Sequence, residues 1–155
     1  MKIWFDTEFV EDGKTIDLIS IGMVREDGKT LYLESADCNR SLASDWVKEN
    51  VFPHLSGPLV SREHIASEVV KFAGTGPEFW AYYCSYDWVV LCQLFGTMMD
   101  LPDGWPMFCR DLQQVRSEAE IDVLPEMTGA AHNALADAVW TKAAHEFCIA
   151  HEEGS

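Results

Sequence analysis

The chain opens on Lys2-Ile3-Trp4-Phe5, a β-branched and aromatic run that predicts a first strand. Glu11-Asp12-Gly13-Lys14 reads as a turn, and residues 15–24 return as a second strand with Ile16, Leu18, Ile19 and Ile21 apolar. A second turn, Glu26-Asp27-Gly28-Lys29, carries an Asp-Gly hairpin signal, and residues 30–33 make a third strand. Three strands joined by short turns predict an antiparallel meander. Beyond it the period changes. Residues 44–51 read as a short helix ended by Pro53, and Pro58 closes a loop. Ser61 is an N-cap for a helix with Ile65, Val69, Val70 and Phe72 at helical spacing, stopped by Gly74-Thr75-Gly76-Pro77. Residues 78–83 form an aromatic strand. Ser85 caps a helix over about 86–95, with Gly96 as its stop. A loop at 100–106, a short strand at 107–110, a helical stretch at 111–117 and a loop at 125–131 follow. The last element, 133–151, is helical, with Leu135, Val139, Ala143 and Phe147 recurring on one face. A meander followed by alternating helix and strand predicts a mixed α/β fold, a central sheet flanked by helices. No internal repeat or low-complexity stretch interrupts it, so the reading is one domain over 1–151 and a short tail at 152–155.

Polar residues break the apolar pattern at three places. Asp6 and Glu8 continue the first strand and, because side chains alternate faces, project from the same side, roughly 6–7 Å apart at Cα. Two carboxylates there repel unless a cation sits between them, and hard oxygen ligands suit Mg²⁺ or Mn²⁺. The plainer alternative ends the strand at Phe5, with Asp6 capping a turn and Glu8 solvated. Asp87 falls in the first turn of a helix that follows a strand, the place where open α/β sheets put ligands. It also suits the helix dipole without any function. His132 and Asp137 would diverge by about 140° within one helix. They converge if the helix starts at Asn133, a good N-cap, and His132 lies in the loop before it. Ala134, Leu135, Ala136, Ala138 and Val139 give Asp137 apolar surroundings that admit a close approach.

Composition narrows the class. With 48% hydrophobic and 24% charged residues in 155, the chain is globular and long enough to bury a core. No apolar run reaches the roughly 18 residues of a membrane span, and no basic-then-apolar leader opens the chain. Cys38, Cys84, Cys92, Cys109 and Cys148 are scattered singly, with no CxxC pair, which predicts reduced thiols in a cytoplasm. The net charge of −15 argues against tracking long nucleic-acid duplexes. It leaves room for a small site that takes the end of a single strand through metal ions, whose charge would neutralise part of the excess.

Asp6, Glu8, Asp87, Asp137 and one histidine, in this order, resemble the three motifs of the DEDD superfamily of 3′→5′ exonucleases, in its histidine subtype. The motifs are Asp-x-Glu at 6–8, aromatic-Asp at Tyr86-Asp87, and His-x-Ala-x-x-Asp at 132–137. The resemblance covers nearly the whole chain. It extends to Phe5-Asp6-Thr7-Glu8-Phe9-Val10-Glu11-Asp12-Gly13, to Leu18-Ile19-Ser20-Ile21-Gly22 and to Leu91-Cys92-Gln93-Leu94-Phe95-Gly96. These runs are similar to the small exoribonucleases of the mycobacterial polyadenylate-specific ribonuclease AS family. That resemblance implies a ribonuclease H-like fold, its meander followed by parallel strands. It also implies a homodimer, two divalent cations (Mg²⁺ or Mn²⁺) and 3′-end trimming of single-stranded RNA. One position departs: many members of the wider superfamily have Asn four residues before the second-motif Asp, where this chain has Tyr83.

The residue types suit the chemistry. Hydrolysing a phosphodiester needs an activated water and a neutralised leaving oxygen, which two divalent ions about 3.5–4 Å apart supply. Asp6, Glu8, Asp87 and Asp137 are the expected ligands, with Asp6 central, and neutral His132 the expected general base. Ser20 and Phe9 are candidate substrate contacts. Phe9 would stack on the terminal base or pack into the core. Trp80, Tyr82 and Tyr83 are expected in the core and strand surface, and Trp88 is compatible with the cleft rim. The product would be nucleoside 5′-monophosphate. Two alternatives stand beside this: a proofreading-type exonuclease on single-stranded DNA, and a non-catalytic metal-binding adaptor of the same fold.

Overall fold

The meander forms as the turn signals require. β1 (Lys2–Glu11) pairs antiparallel with β2 (Ile16–Arg25), and β2 with β3 (Thr30–Ser35). At the second turn Gly28 takes φ 88°, a left-handed value that glycine adopts without strain. In this computed structural model, which describes residues 1–154, three further strands complete one sheet. β4 (Leu59–Val60) lies parallel to β3, β5 (Glu78–Ala81) parallel to β1, and β6 (Arg110–Asp111) parallel to β5, in the order β4-β3-β2-β1-β5-β6. The expected strand over 107–110 is therefore shorter, beginning three residues later and ending one later, and β4 replaces part of the expected loop at Pro58.

Helices cover both faces. α1 (Asp45–Asn50) is capped by Ser44 Oγ, which accepts from Val47 N at 3.2 Å. α2 (Arg62–Ala73) is capped by Ser61, which accepts from His64 N at 3.1 Å. α3 (Ser85–Gln93) follows β5 directly, α4 (Leu112–Glu118) follows β6, and α5 (Ala134–Glu153) closes the chain. The expected cap on α3 is corrected. Its N-cap is Cys84, without a side-chain cap bond, because β5 ends at Ala81 and the turn tightens over 82–84.

Strand alternation divides the sheet. Ile3 and Phe5 of β1 join Ile21, Met23, Phe79, Leu91 and the α2 residues Ile65 and Val69 in the main core. Trp4, from the other face, packs with Val24, Trp80 and Ala138 of α5. α5 comes so close to β2 that a Cβ on Gly22 would sit 2.2 Å from Leu135 N and 2.3 Å from the Ala134 carbonyl carbon. Only small residues fit such a contact. The buried face of α5 is accordingly Ala134, Ala138, Thr141, Ala144, His145 and Cys148. The expected stripe points away: Val139 is 46% and Phe147 42% exposed. Close backbone approach selected alanine, which a pattern weighted towards large side chains misses. All five cysteines are free thiols. Among the described residues, no helix is long and apolar enough to cross a membrane.

Candidate active site

Three elements converge on one end of the central strands. β1 supplies the floor. Its ladder sets Asp6 opposite Gly22 and Glu8 opposite Ser20, and both carboxylates stand on the face that α5 covers. A β-bulge between Glu8 and Phe9 shifts the register there, a device that re-aims side chains at strand ends. α5 supplies Asp137. Asn133 Oδ1 caps the helix, accepting from Ala136 N at 3.0 Å, and the Gly22 contact seats its first turn on the sheet. As a result one carboxylate oxygen each from Asp6, Glu8 and Asp137 lie within 4.8 Å of one another.

Asp87 arrives by another route. It is 6% exposed in the first turn of α3. Its Oδ1 accepts from Thr7 N at 3.0 Å and from Thr7 Oγ1 at 2.5 Å. Thr7 points to the opposite side of β1 from Asp6 and Glu8, so one tripeptide holds all three carboxylates. The turn into α3 is fixed from the neighbouring strand. Asp111 accepts from Tyr83 N at 2.9 Å and Cys84 N at 3.3 Å while also capping α4 through Gln113 N at 2.9 Å. Those bonds pin the turn that leads into α3.

His132 completes the set. It lies just before the Asn133 cap with φ 65°, a left-handed backbone uncommon for a non-glycine residue. Its ring sits edge-on to Trp46 of α1, centroids 4.9 Å apart. The cleft holds about 700 Å³ and is lined by Asp6, Glu8, Asp87, Asp137 and His132 together with Phe9, Trp46, Tyr82 and Tyr83.

The carboxylates perturb one another. Burial, then the charges of Asp87, Glu8 and Asp137, hold the Asp6 carboxyl well above the usual range. Burial, then Asp137 and Asp87, push Glu8 up to about 8. Burial lifts Asp87 to about 6 against the opposing bonds from Thr7. Burial also raises Asp137, with His132 working against it. Such a cluster is poorly suited to stand ionised alone and well suited to hard divalent cations, since every donor is a carboxylate oxygen.

The remaining residues sort differently. Ser20 is 1% exposed in mid-sheet, between Glu8 and Glu34 in the ladder, and does not line the cleft. Trp88 does not rim the cleft. It packs on Phe79 in the main core at 5.5 Å, because its position on α3 faces the sheet. Trp80 is buried against His145 at 4.0 Å. Phe9 does both things expected of it: it lines the cleft, touches Tyr86 at 5.9 Å, and packs against the main core. Tyr82 leans on Trp140 at 5.2 Å and on Tyr83 at 4.6 Å. Tyr83 is not a core residue: it is 61% exposed at the cleft. Trp46, Thr7 and Asp111 were not legible as site residues from spacing. The one local hint was an aromatic side chain just after the Ser44 cap.

Comparison with known proteins agrees with this geometry. Two relatives from strains of Mycobacterium tuberculosis, both 3′-5′ exoribonucleases and one of them Rv2179c, are 40% identical over 146 residues. The match covers 89% of this chain and 87% of each relative. Exonuclease I shares the fold with a TM-score of 0.66 at 14% identity; 90% of this chain is covered, but only 39% of that protein. The RNase domain of yeast Pop2 shares it with a TM-score of 0.58 at 12% identity, covering 98% of this chain and 77% of that one. These likenesses show a ribonuclease H-like exonuclease fold. The 3′-5′ exoribonuclease Rv2179c-like domain matches residues 1–149, and the chain belongs to that family of enzymes.

Proposed function

We propose that this chain trims single-stranded RNA from its 3′ end, releasing nucleoside 5′-monophosphates, with two divalent cations and His132 as general base. The observation that carries the reading is the convergence of Asp6, Glu8, Asp137, Asp87 and His132 in one cleft. RNA, rather than DNA, is favoured by the exoribonuclease relatives. Residues 1–151 act as a single exonuclease domain in this reading.

Asp6, Glu8, Asp87 and Asp137 would hold the cations, Mg²⁺ or Mn²⁺. Bound there, the cations supply an activated water and neutralise charge on the leaving oxygen. The protein does the rest. Asp6 is central among the acidic groups and suits a shared ligand. Thr7 fixes the Asp87 carboxylate, so no reorganisation is needed there when substrate binds. An imidazole nitrogen of His132 takes the proton of the attacking water, a role that needs the neutral ring. Phe9 meets the terminal nucleotide at the mouth. The working form is a cytoplasmic homodimer. The support for that is the unpartnered apolar side of α5 and the five reduced thiols.

The test is end-labelled RNA and DNA of matched sequence, each incubated with Mn²⁺, Mg²⁺ or chelator. Shortening of RNA that needs a cation is the expected result. Preference for DNA would move the assignment to a proofreading-type exonuclease. No shortening of either strand would leave a non-catalytic metal-binding domain.

A further inference from the structure

Two thiols meet beside the helix that carries Asp87. Cys84 and Cys109 are 25 positions apart in sequence, yet Cys84 Sγ lies 3.8 Å from the Cys109 carbonyl oxygen. The Cys109 thiol in turn donates to the Cys84 sulfur. The other cysteines sit elsewhere. Cys38 packs on the cluster of Val10 and Ile19, Cys148 lies with Leu112 and Ala144, and Cys92 is buried in the main core. Cys84 and Cys109 are both partly exposed, and their neighbours Tyr83, Met107 and Phe108 are open to solvent. The hydrogen bond from Cys109 holds the Cys84 thiol below its usual range. The same bond, then burial, pushes the Cys109 thiol up. One sulfur is thus prepared as a thiolate and the other as its proton donor, the asymmetry of an attacking and a resolving cysteine.

The place of the pair ties it to the site. Cys84 is the N-cap of α3, and its carbonyl accepts from Trp88 N at 2.8 Å, one residue past Asp87. Cys109 comes just before β6, with its sulfur 3.6 Å from the Phe79 carbonyl oxygen on β5. Two sulfurs in hydrogen-bond contact must close to about 2.05 Å to become a disulfide. β6 is paired into the sheet, whereas residues 82–84 belong to no strand and hang on the Asp111 carboxylate, so the turn takes up that approach. The bond from Trp88 N passes the movement to the first turn of α3. β6 lies on the far side of β5 from β1, so the pull on Asp87 is away from Thr7, the residue that holds its carboxylate.

We propose that Cys84 and Cys109 are a redox pair: a hydroperoxide joins them in a disulfide that draws Asp87 off Thr7 and disables the metal site, and a thiol reductant restores it. The loss of hydrolysis rests on the exonuclease reading above; the disulfide itself does not. The Cys84 thiolate attacks the terminal oxygen of the hydroperoxide. A sulfur–oxygen bond forms, the oxygen–oxygen bond breaks, and the departing alkoxide takes up the proton that the thiol released. Cys84 is then a sulfenic acid. The Cys109 sulfur displaces hydroxide from it, and its thiol proton leaves with that hydroxide as water. In sum, two thiols and one hydroperoxide give one disulfide, one alcohol and one water, the sulfurs being oxidised and the peroxide reduced.

Hydrogen peroxide, removed afterwards with catalase, is the probe, applied to the full chain as wild type, Cys84→Ser and Cys109→Ser. Free thiols, cross-linked peptides, Mn²⁺ affinity by calorimetry and the rate on end-labelled RNA are read before oxidation, after it, and after dithiothreitol. Oxidised wild type should lose two of its five free thiols and yield a Cys84–Cys109 linked peptide in mass spectrometry. Its Mn²⁺ affinity should fall roughly 10–100-fold, the scale of a ligand that loses its outer partner. Its rate should fall about 10²-fold, the scale of a displacement near 1 Å. Dithiothreitol should restore both. The serine variants meet the same peroxide and should keep their affinity and rate. Absence of the linked peptide overturns the proposal, as does a linked protein with unchanged affinity and rate. Serine variants that lose as much as wild type also overturn it. Reduced wild type that cleaves no RNA removes the exonuclease reading and not the pair, whose linked peptide and lost Mn²⁺ affinity are read without hydrolysis.

Discussion

Gly22→Ala should disable the site without touching any group that performs chemistry. A methyl group there would meet Leu135 N at 2.2 Å and the Ala134 carbonyl at 2.3 and 2.4 Å. These are backbone atoms and cannot swing aside. Ordinary contact begins near 3.4 Å, so the first turn of α5 must retreat by roughly 1 Å. Gly22 is the ladder partner of Asp6, and Asp137 lies one turn into that helix. The retreat therefore opens the distance between Asp137 and the β1 carboxylates, whose oxygens now lie within 4.8 Å of one another. Mg²⁺ holds its ligands at about 2.0–2.1 Å and tolerates little deviation. A misplacement of about 1 Å is worth roughly 10²-fold in rate. Overpacking adds a stability cost of about 1–3 kcal/mol. The assay is calorimetric titration with Mn²⁺ beside the hydrolysis rate, with circular dichroism as a check of fold. Val69→Ala, a buried cavity in the opposite core, serves as a control of comparable instability. Gly22→Ala should lose cation affinity and rate while the control keeps both. A folded Gly22→Ala protein with wild-type affinity and rate would refute the reasoning.

Other consequences are open to measurement. The site carboxyls hold protons more tightly in the folded chain than in the unfolded one, so ionising them destabilises. Metal-free wild type should lose stability as pH rises from about 4.5 to about 8, the span over which Glu8 is shifted. Asp6→Asn should then melt above wild type at pH 8 and close to it at pH 4, and Mn²⁺ should raise the wild-type melting point only. A pH-independent melt in scanning calorimetry would contradict this. His132→Ala should lose rate by roughly 10²–10⁴-fold yet keep its Mn²⁺ affinity by calorimetry. Lost affinity would make His132 a ligand, and an unchanged rate would make it a bystander. Light scattering at micromolar concentration should give twice the chain mass, and a monomer mass would remove the homodimer.

Much of the site lay in local pattern. Alternation on β1 put Asp6 and Glu8 on one face, and the ladder to Gly22 and Ser20 shows them there. Asn133 was recognisable as the start of α5, and that placed His132 in the loop and Asp137 one turn in. What stayed hidden depends on contacts distant in sequence. Thr7 grips Asp87 across 80 positions, and Asp111 holds Tyr83 across 28. No periodicity reports such pairs. Ser20 belonged to a run that resembles the family, but its place in the middle of a covered sheet keeps it from the cleft. β4 and β6 are two residues each, so pairing with β3 and β5 defines them rather than propensity. The face of α5 was misread for a physical reason. The helix touches β2 backbone at Gly22, where alanine packs and leucine cannot, so the larger apolar residues were left outside.

The central claim is that the acidic cluster on β1, α3 and α5 performs metal-dependent hydrolysis at a 3′ end. Its most direct test is cleavage of 5′-labelled single-stranded RNA by wild type and Asp6→Asn, each with Mn²⁺ and with chelator. Wild type with Mn²⁺ should produce a ladder that shortens one nucleotide at a time from the 3′ end. Chelator or Asp6→Asn should leave the strand intact. Trimming by Asp6→Asn at a rate near wild type would contradict the account.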